Sequence, residues 1–183
     1  MSDRPIRILV ITVDYPPIEG GISTLALEVS RELSRQGFEV TVLAPCFPGM
    51  EAFDSTGPVR VVRFGGYNTG WLRIFPLLAR ARTLVAHHDL VLAIDITYGG
   101  IAGLLARSLF GVPYATLAYG NEFLKFKRFW PGAALLRYIY AQSLGAIAIS
   151  RFTRGQLIEF GVNGKKIAAI LPGASPNPVV DDA

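Results

Sequence analysis

The chain of 183 residues carries a net charge of +4, with 51% hydrophobic and only 17% charged residues. That balance supports one sizeable packed core and excludes an intrinsically disordered chain. The mild positive charge favours an anionic partner, a phosphate or an acidic membrane surface. A single cysteine, Cys46, excludes an internal disulfide and fits a reducing cytoplasm. "MSDRPIRILVITV" reads as a short strand and not as a signal peptide, and no apolar stretch reaches the length of a membrane span, so a soluble protein is expected.

Strand and helix patterns alternate along the chain. Ile6–Val13 is a near-continuous apolar run, as in a parallel strand covered on both faces. It leads through "DYPPIEGGIST", where Pro16 and Pro17 keep the chain extended and Gly20 and Gly21 leave the backbone open to close approach. Ile22, Leu25, Ala26, Val29 and Leu33 then recur at helical spacing, with Glu28, Arg31, Glu32 and Arg35 on the outer side and Gly37 as the stop. Phe38–Ala44 reads as the second strand. A loop rich in proline and glycine leads to Val59–Phe64, whose Arg60 and Arg63 suggest a strand near the sheet edge. A helix is expected from about Pro76, since proline suits a first turn.

Asp89–Asp95 is the fourth strand, and "YGGIAGLLARSLFG" the helical crossover after it, closing at Gly111. Val112–Tyr119 is the fifth strand, Gly132–Leu144 a helix and Gly145–Ser150 the sixth strand. "RFTRGQLIEFG" is a further helix, and Lys166–Leu171 a short seventh strand. The alternation implies an α/β, Rossmann-like doubly wound fold: a mostly parallel sheet of about seven strands with helices on both faces. The tail "PGASPNPVVDDA" reads as a linker or terminus.

Ligands of such sheets sit outside the carboxyl ends of the strands. Asp14, Gly20 and Gly21 follow the first strand, Asp95 the fourth, Tyr119, Asn121 and Glu122 the fifth, and Ser150 and Arg151 the sixth. The diglycine before a helix is either a plain turn or a phosphate-facing loop, in which the amides from Ile22 onward meet an anion. Glu122 is either a surface acid or a ligand of an acceptor hydroxyl. Asp95 is either that or a cap of the following helix, and Ser150 with Arg151 is first of all a helix N-terminus. His87 and His88 read as structural or solvated. The Gly-x-Gly-x-x-Gly fingerprint is missing, and Glu51 is only a distant candidate for a ribose contact, which argues against a nicotinamide cofactor. No Cys/His cluster suggests a metal, so neither cofactor nor metal is expected. "EFLKFKRFW" interleaves Phe123, Phe126, Phe129 and Trp130 with Lys125, Lys127 and Arg128: either an aromatic insert packed on the domain, or a peripheral contact with an anionic bilayer. No basic stripe elsewhere supports nucleic acid.

Three blocks carry a resemblance. "YPPIEGGIST" with its helix and "LSRQGFEVTVLAP", then "AYGNEF", then "AISRFTRGQLIEFGVNGKKIAAILPGASP" resemble the N-terminal domain of glycosyltransferase family 4, with the GT-B fold, over residues 6 to 175. The resemblance implies an acceptor-side domain over residues 1–173, a linker over 174–183, and a C-terminal nucleotide-sugar domain absent from this chain. It implies a retaining transfer from a nucleoside diphosphate sugar to a sugar or lipid-linked acceptor hydroxyl, in the cytoplasm, either free or at the inner face of the plasma membrane. The diglycine loop (Gly20, Gly21, Ile22), Ser150 and Arg151 would face the donor's diphosphate, and Glu122, Asp95 and Tyr119 the reacting groups. The fragment alone would be inactive. Two positions depart from the family: Tyr119 stands where histidine is usual, and the linker reads Leu171-Pro172-Gly173 without asparagine. The alternative is a non-catalytic sugar- or phosphate-binding module, or scaffold, that kept the fold.

Overall fold

The computed structural model describes residues 4–57, 59–120 and 130–170. Seven strands form one parallel sheet in the order β3-β2-β1-β4-β5-β6-β7, as expected of a Rossmann-like α/β domain. They are β1 (Arg7–Ile11), β2 (Glu39–Pro45), β3 (Arg60–Phe64), β4 (Leu90–Ala93), β5 (Tyr114–Ala118), β6 (Ala146–Ala148) and β7 (Ile167–Ala169). The helices are α1 (Gly21–Arg35), α2 (Met50–Thr56), α3 (Ile74–Val85), α4 (Tyr98–Phe110), α5 (Trp130–Gln142) and α6 (Arg151–Glu159).

The alternation of side chains along β1 sorts the core into two layers. Ile8 and Val10 pack with Val42, Leu92 and Ala26 of α1, whereas Leu9 and Ile11 pack with Leu77 of α3, Ala102 of α4 and Ile139 of α5. Right-handed crossovers dictate that division: the chain moves one way across the sheet through α1 and α2, and the other way through α3 to α6. Gly103 lets α4 lie close on β5, since a Cβ there would stand 2.7 Å from the Tyr114 ring. The Tyr114 hydroxyl reaches across and donates to the Ile139 carbonyl.

The structure corrects the sequence reading in a few places. The segment after β2, expected as a loop, contains α2; its seven residues bury nothing fully, so no apolar stripe announces it. A 3-10 turn, Gly70–Arg73, precedes α3, which begins at Ile74, so Pro76 sits inside the first turn. Arg60 and Arg63 do belong to an edge strand, β3. His88 is buried, with Nδ1 donating to the Leu84 carbonyl at 2.8 Å, while His87 is exposed.

At the amino end of the sheet, Asp89 ties β4 to the chain entry. It accepts two bonds from the Arg4 guanidinium at 2.7 Å and one from the Arg7 amide at 2.9 Å. These donors hold its carboxyl well below the ordinary value, the Arg4 side chain contributing most. Glu32, between Arg35 and Gln36, is lowered to about 2. A carboxylate depressed in the folded state stabilises it above the unfolded pKa and loses that contribution as pH falls toward the folded one. The melting temperature should therefore drop between about pH 4 and pH 2, and Asp89→Asn should lower it at pH 7 while flattening the drop. An unchanged acid profile in that variant, followed by circular dichroism, would contradict the assignment.

Candidate active site

The carboxyl ends of β1 and β4 are neighbours, yet their helices leave to opposite faces, and a crevice opens between them. A pocket of about 520 Å³ lies there, walled mostly by apolar groups including Ile22, Ile74, Ile101 and Leu136, with Asp14, Arg73 and Asp95 as its charged members.

The loop from β1 into α1 is held at several points. Thr12 Oγ1 donates to the Asp14 carbonyl at 2.8 Å, and Tyr15 is fully buried with its ring edge-to-face on Phe53. Burial pushes the Tyr15 phenol up to about 12. Arg63 is the main clamp. Its guanidinium bonds the Pro16 carbonyl (2.7 Å), the Pro45 carbonyl (2.9 Å) and both oxygens of Asp54, and lies 5.6 Å from the Tyr15 ring centre. After Ile18 and Glu19 the chain carries only backbone at Gly20 and Gly21. Gly20 has φ +152°, a conformation that L side chains rarely adopt, and a Cβ added at Gly20 or Gly21 would meet no atom within 4 Å. The first helical bond runs from the Thr24 amide to the Gly20 carbonyl, so the amides of Gly21, Ile22 and Ser23 have no partner within the helix.

The described helices all begin on this side of the sheet, and their ends differ. Ser150 Oγ accepts the Thr153 amide at 2.9 Å and caps α6; Arg151 is exposed beside it, and neither lines the pocket. At α4 the Asp95 carboxylate accepts the Thr97 hydroxyl (3.0 Å) and the amides of Tyr98 (2.7 Å) and Gly99 (3.1 Å). Burial pushes its carboxyl above the ordinary value, opposed by the Gly99, Thr97 and Tyr98 donors and by the charge of Arg73. At α1 no side chain caps the end at all. The ends of α2 and α3 likewise have no side-chain cap, but α1 is the one that begins on two exposed glycines, which leaves its positive end open to an outside anion.

Arg73 escaped the sequence reading. It arrives on the 3-10 turn after β3, stacks its guanidinium 4.5 Å from the Tyr98 ring centre and lines the pocket, with Nε buried and unpaired. The signal was available: "WLRIF" follows a strand's carboxyl end, where every connecting loop faces the crevice. Tyr119 is half-buried against the α1-side core with its hydroxyl oxygen buried, and it does not line the pocket. Gly120 follows it at φ +104°, so "AYGNEF" turns where only glycine fits comfortably. Asn121, Glu122 and Phe123–Phe129 lie outside the described residues, as do the Trp130 side chain and residues 171–183. Among the described residues no three His, Cys, Asp or Glu side chains cluster as a metal site.

Removing the Asp95 carboxylate strands three donors at a buried helix end. Asp95→Ala should cost about 2–3 kcal/mol of unfolding free energy in urea. Asp95→Asn should cost less, because it keeps one acceptor oxygen and carries no charge to bury. A loss below about 0.5 kcal/mol for the alanine variant would remove the capping role.

Comparison with known proteins places this geometry. Residues 19–177 match the model of Glycosyltransferase Family 4. Over 122 residues, 64% of this chain and 29% of the relative, the sequence is 36% identical to a GDP-mannose-dependent alpha-(1-6)-phosphatidylinositol monomannoside mannosyltransferase of Mycobacterium tuberculosis. Anabaena HepE, solved with UDP-glucose, superposes with a TM-score of 0.72 at 15% identity, covering 92% of this chain and 44% of HepE. The lipopolysaccharide outer core galactosyltransferase WaaB gives 0.65 at 16% identity, over 96% and 50%. UDP-GlcNAc 2-epimerase of Methanocaldococcus jannaschii gives 0.62 at 18%, over 90% and 45%, so the fold also serves a protein named for another reaction. The chain spans about half the length, or less, of the proteins it matches. With its seven-stranded Rossmann-like sheet and a family match over most of its length, the chain belongs to Glycosyltransferase Family 4.

Proposed function

We propose that residues 1–173 form the acceptor-side domain of a retaining hexosyltransferase, with 174–183 leading to a nucleotide-sugar domain in the complete protein. The observation that carries the proposal is the uncapped α1 end at Gly20–Gly21, open to space beside a mostly apolar pocket. The leaving group of a nucleoside diphosphate sugar is a diphosphate, and a helix N-terminus offers it fixed amides and a positive dipole end without a metal. Arg73 adds a cation to the same pocket.

In the reaction the bond from the anomeric carbon to the diphosphate oxygen breaks as the acceptor oxygen bonds to the same face of that carbon. The departing phosphate oxygen takes the acceptor's proton. The described residues hold no pair of carboxylates suited to a covalent glycosyl-enzyme: Asp95 is committed to its helix, and Asp14 is the other acid of the pocket. The protein's part is positioning and charge stabilisation. Glu122, two residues past the Gly120 turn, is our candidate for the acceptor hydroxyl. The names of the relatives supply the substrate classes we adopt, a nucleotide-linked hexose and a lipid-linked acceptor. Among the described residues no helix is long and apolar enough to cross a membrane; we assign the work to the cytoplasmic side, in keeping with the lone free Cys46.

A second reading, a binding module without chemistry, draws on Tyr119 and its buried hydroxyl in place of the family's histidine. One experiment separates them. The complete protein is assayed with GDP- and UDP-hexoses, and the anomeric configuration of the product is read by NMR. Gly21→Val should lower kcat/KM by about 10²-fold or more, while the melting temperature stays within about 2 °C because the added carbons meet open space. This chain alone should turn over nothing. Unchanged turnover in the valine variant would remove the loop from the mechanism, and no turnover in the complete wild-type protein would favour the module.

A further inference from the structure

The short helix α2 buries no residue fully, yet it meets the loop between β1 and α1 at consecutive positions. The Phe53 ring stands edge-on to Tyr15, the centroids 6.0 Å apart. Asp54 pairs with Arg63, which donates to the Pro16 carbonyl. At the head of α2, Gly49 lies against Pro17, whose Cγ is 3.9 Å from where a Cβ on that glycine would stand. A helix that adds so little to the core is placed as a backing for this loop.

Arg63 is the joint. Its side chain is 8% exposed, and the Asp54 carboxylate supplies its counter-charge. Nε and Nη2 each donate to one Asp54 oxygen, Nη2 also to the Pro16 carbonyl, and Nη1 to the Pro45 carbonyl. Charge-assisted bonds from a planar fork fix direction as well as distance. A hold on the border strand alone would not call for a bond to Pro16, because β3 already has its ladder with β2.

The glycine pair lies between two anchors. Upstream is the Arg63 bond to Pro16, followed by the Ile18 amide donating to the Tyr15 carbonyl at 3.1 Å. Downstream is the buried stripe Ser23, Ala26 and Ser30, which seats α1 on the sheet. Gly20 and Gly21 have no side chain to fix their own place, so the amides of Gly21, Ile22 and Ser23 stand where these anchors put them. An amide stabilises a departing anion only from hydrogen-bond distance, and a displacement of about 1 Å can cost about 10²-fold in rate.

We infer that Arg63, with Asp54 as its counter-ion, is a positioning residue for the glycine-led end of α1, and that α2 serves the reaction through this pair without touching substrate. This role rests on the proposed transfer from a nucleoside diphosphate sugar, and it extends the machinery to an edge strand and a surface helix outside the pocket.

The test has two arms, each on Arg63→Lys and Asp54→Ala. Lysine keeps the charge but offers a single point in place of the fork; Asp54 is partly exposed on a surface helix, so its variant carries the test if the buried lysine prevents folding. The first arm is amide hydrogen exchange of this chain, followed by NMR without substrate. Exchange at Ile18 and at Thr24, whose amide donates to the Gly20 carbonyl, should quicken about tenfold. Thr12 and Ile94, bonded to the Leu43 and Ile11 carbonyls, should change by less than about twofold. The second arm assays the complete protein with GDP- and UDP-hexoses. Each variant should lose about tenfold in kcat/KM for the donor, with the KM of the acceptor within about twofold. Asp89→Asn, at the amino end of the sheet, is the control for stability alone: a lower melting temperature with donor kinetics unchanged.

Unchanged exchange at Ile18 and Thr24 in a folded variant, equal quickening at Thr12 and Ile94, or unchanged donor kcat/KM would each overturn the inference. So would a loss of donor kcat/KM in Asp89→Asn as large as in the Arg63 variant, since general destabilisation would then account for both. A complete wild-type protein without turnover would sink the transfer reading instead, and the exchange arm would still decide whether Arg63 positions the loop.

Discussion

The constraint on which the molecule depends is the handedness of its crossovers. A right-twisted parallel sheet accepts only right-handed connections, so a chain that winds first one way from β1 and later the other way through β4 must send its helices to opposite faces. The parting of α1 and α4 leaves a space at the carboxyl ends of β1 and β4 that no regular element fills. Everything of chemical interest collects around it. The apolar alternation of β1 secures the two layers of core, and the crevice is the unavoidable gap between their upper edges.

What distinguishes the site from the fold is how the chain treats its helix ends there. A parallel α/β domain presents several positive helix termini to the same rim, and each demands an acceptor. Asp95 satisfies α4 and Ser150 satisfies α6 from within the chain. At α1 two glycines stand where an acid or hydroxyl would serve stability better. The ends of α2 and α3 are also without a side-chain cap, but only the α1 end sits on two exposed glycines with no side chain to cover its amides.

Much of the fold was legible in the residues. The apolar runs of β1 and β4 can be read as central parallel strands because burial on both faces removes alternation, and the stripe from Ile22 to Leu33 writes α1 plainly. The short α2 was not legible: it is fixed by the long-range pair Asp54–Arg63, which no local pattern encodes. Of the site, Gly20 and Gly21 were visible through composition and place, and the capping alternative for Asp95 was visible through position alone. Choosing between its two uses needed the distances to Tyr98 and Gly99. Arg73 escaped because a 3-10 turn has too few residues to show a period; its place after a strand's carboxyl end was readable, but its stacking on Tyr98 comes only from the packing.

The Arg63 clamp has a further consequence. β3 has a strand neighbour on one side only, and a sheet opens first at its border. Each such opening would release Asp54 and the carbonyls of Pro16 and Pro45 in a single event, since one guanidinium holds all of them. Fraying at the outermost strand and slackness of the glycine segment are therefore one motion, and side chains on the far flank of β3 set how stiffly the crevice is held without ever touching what binds in it.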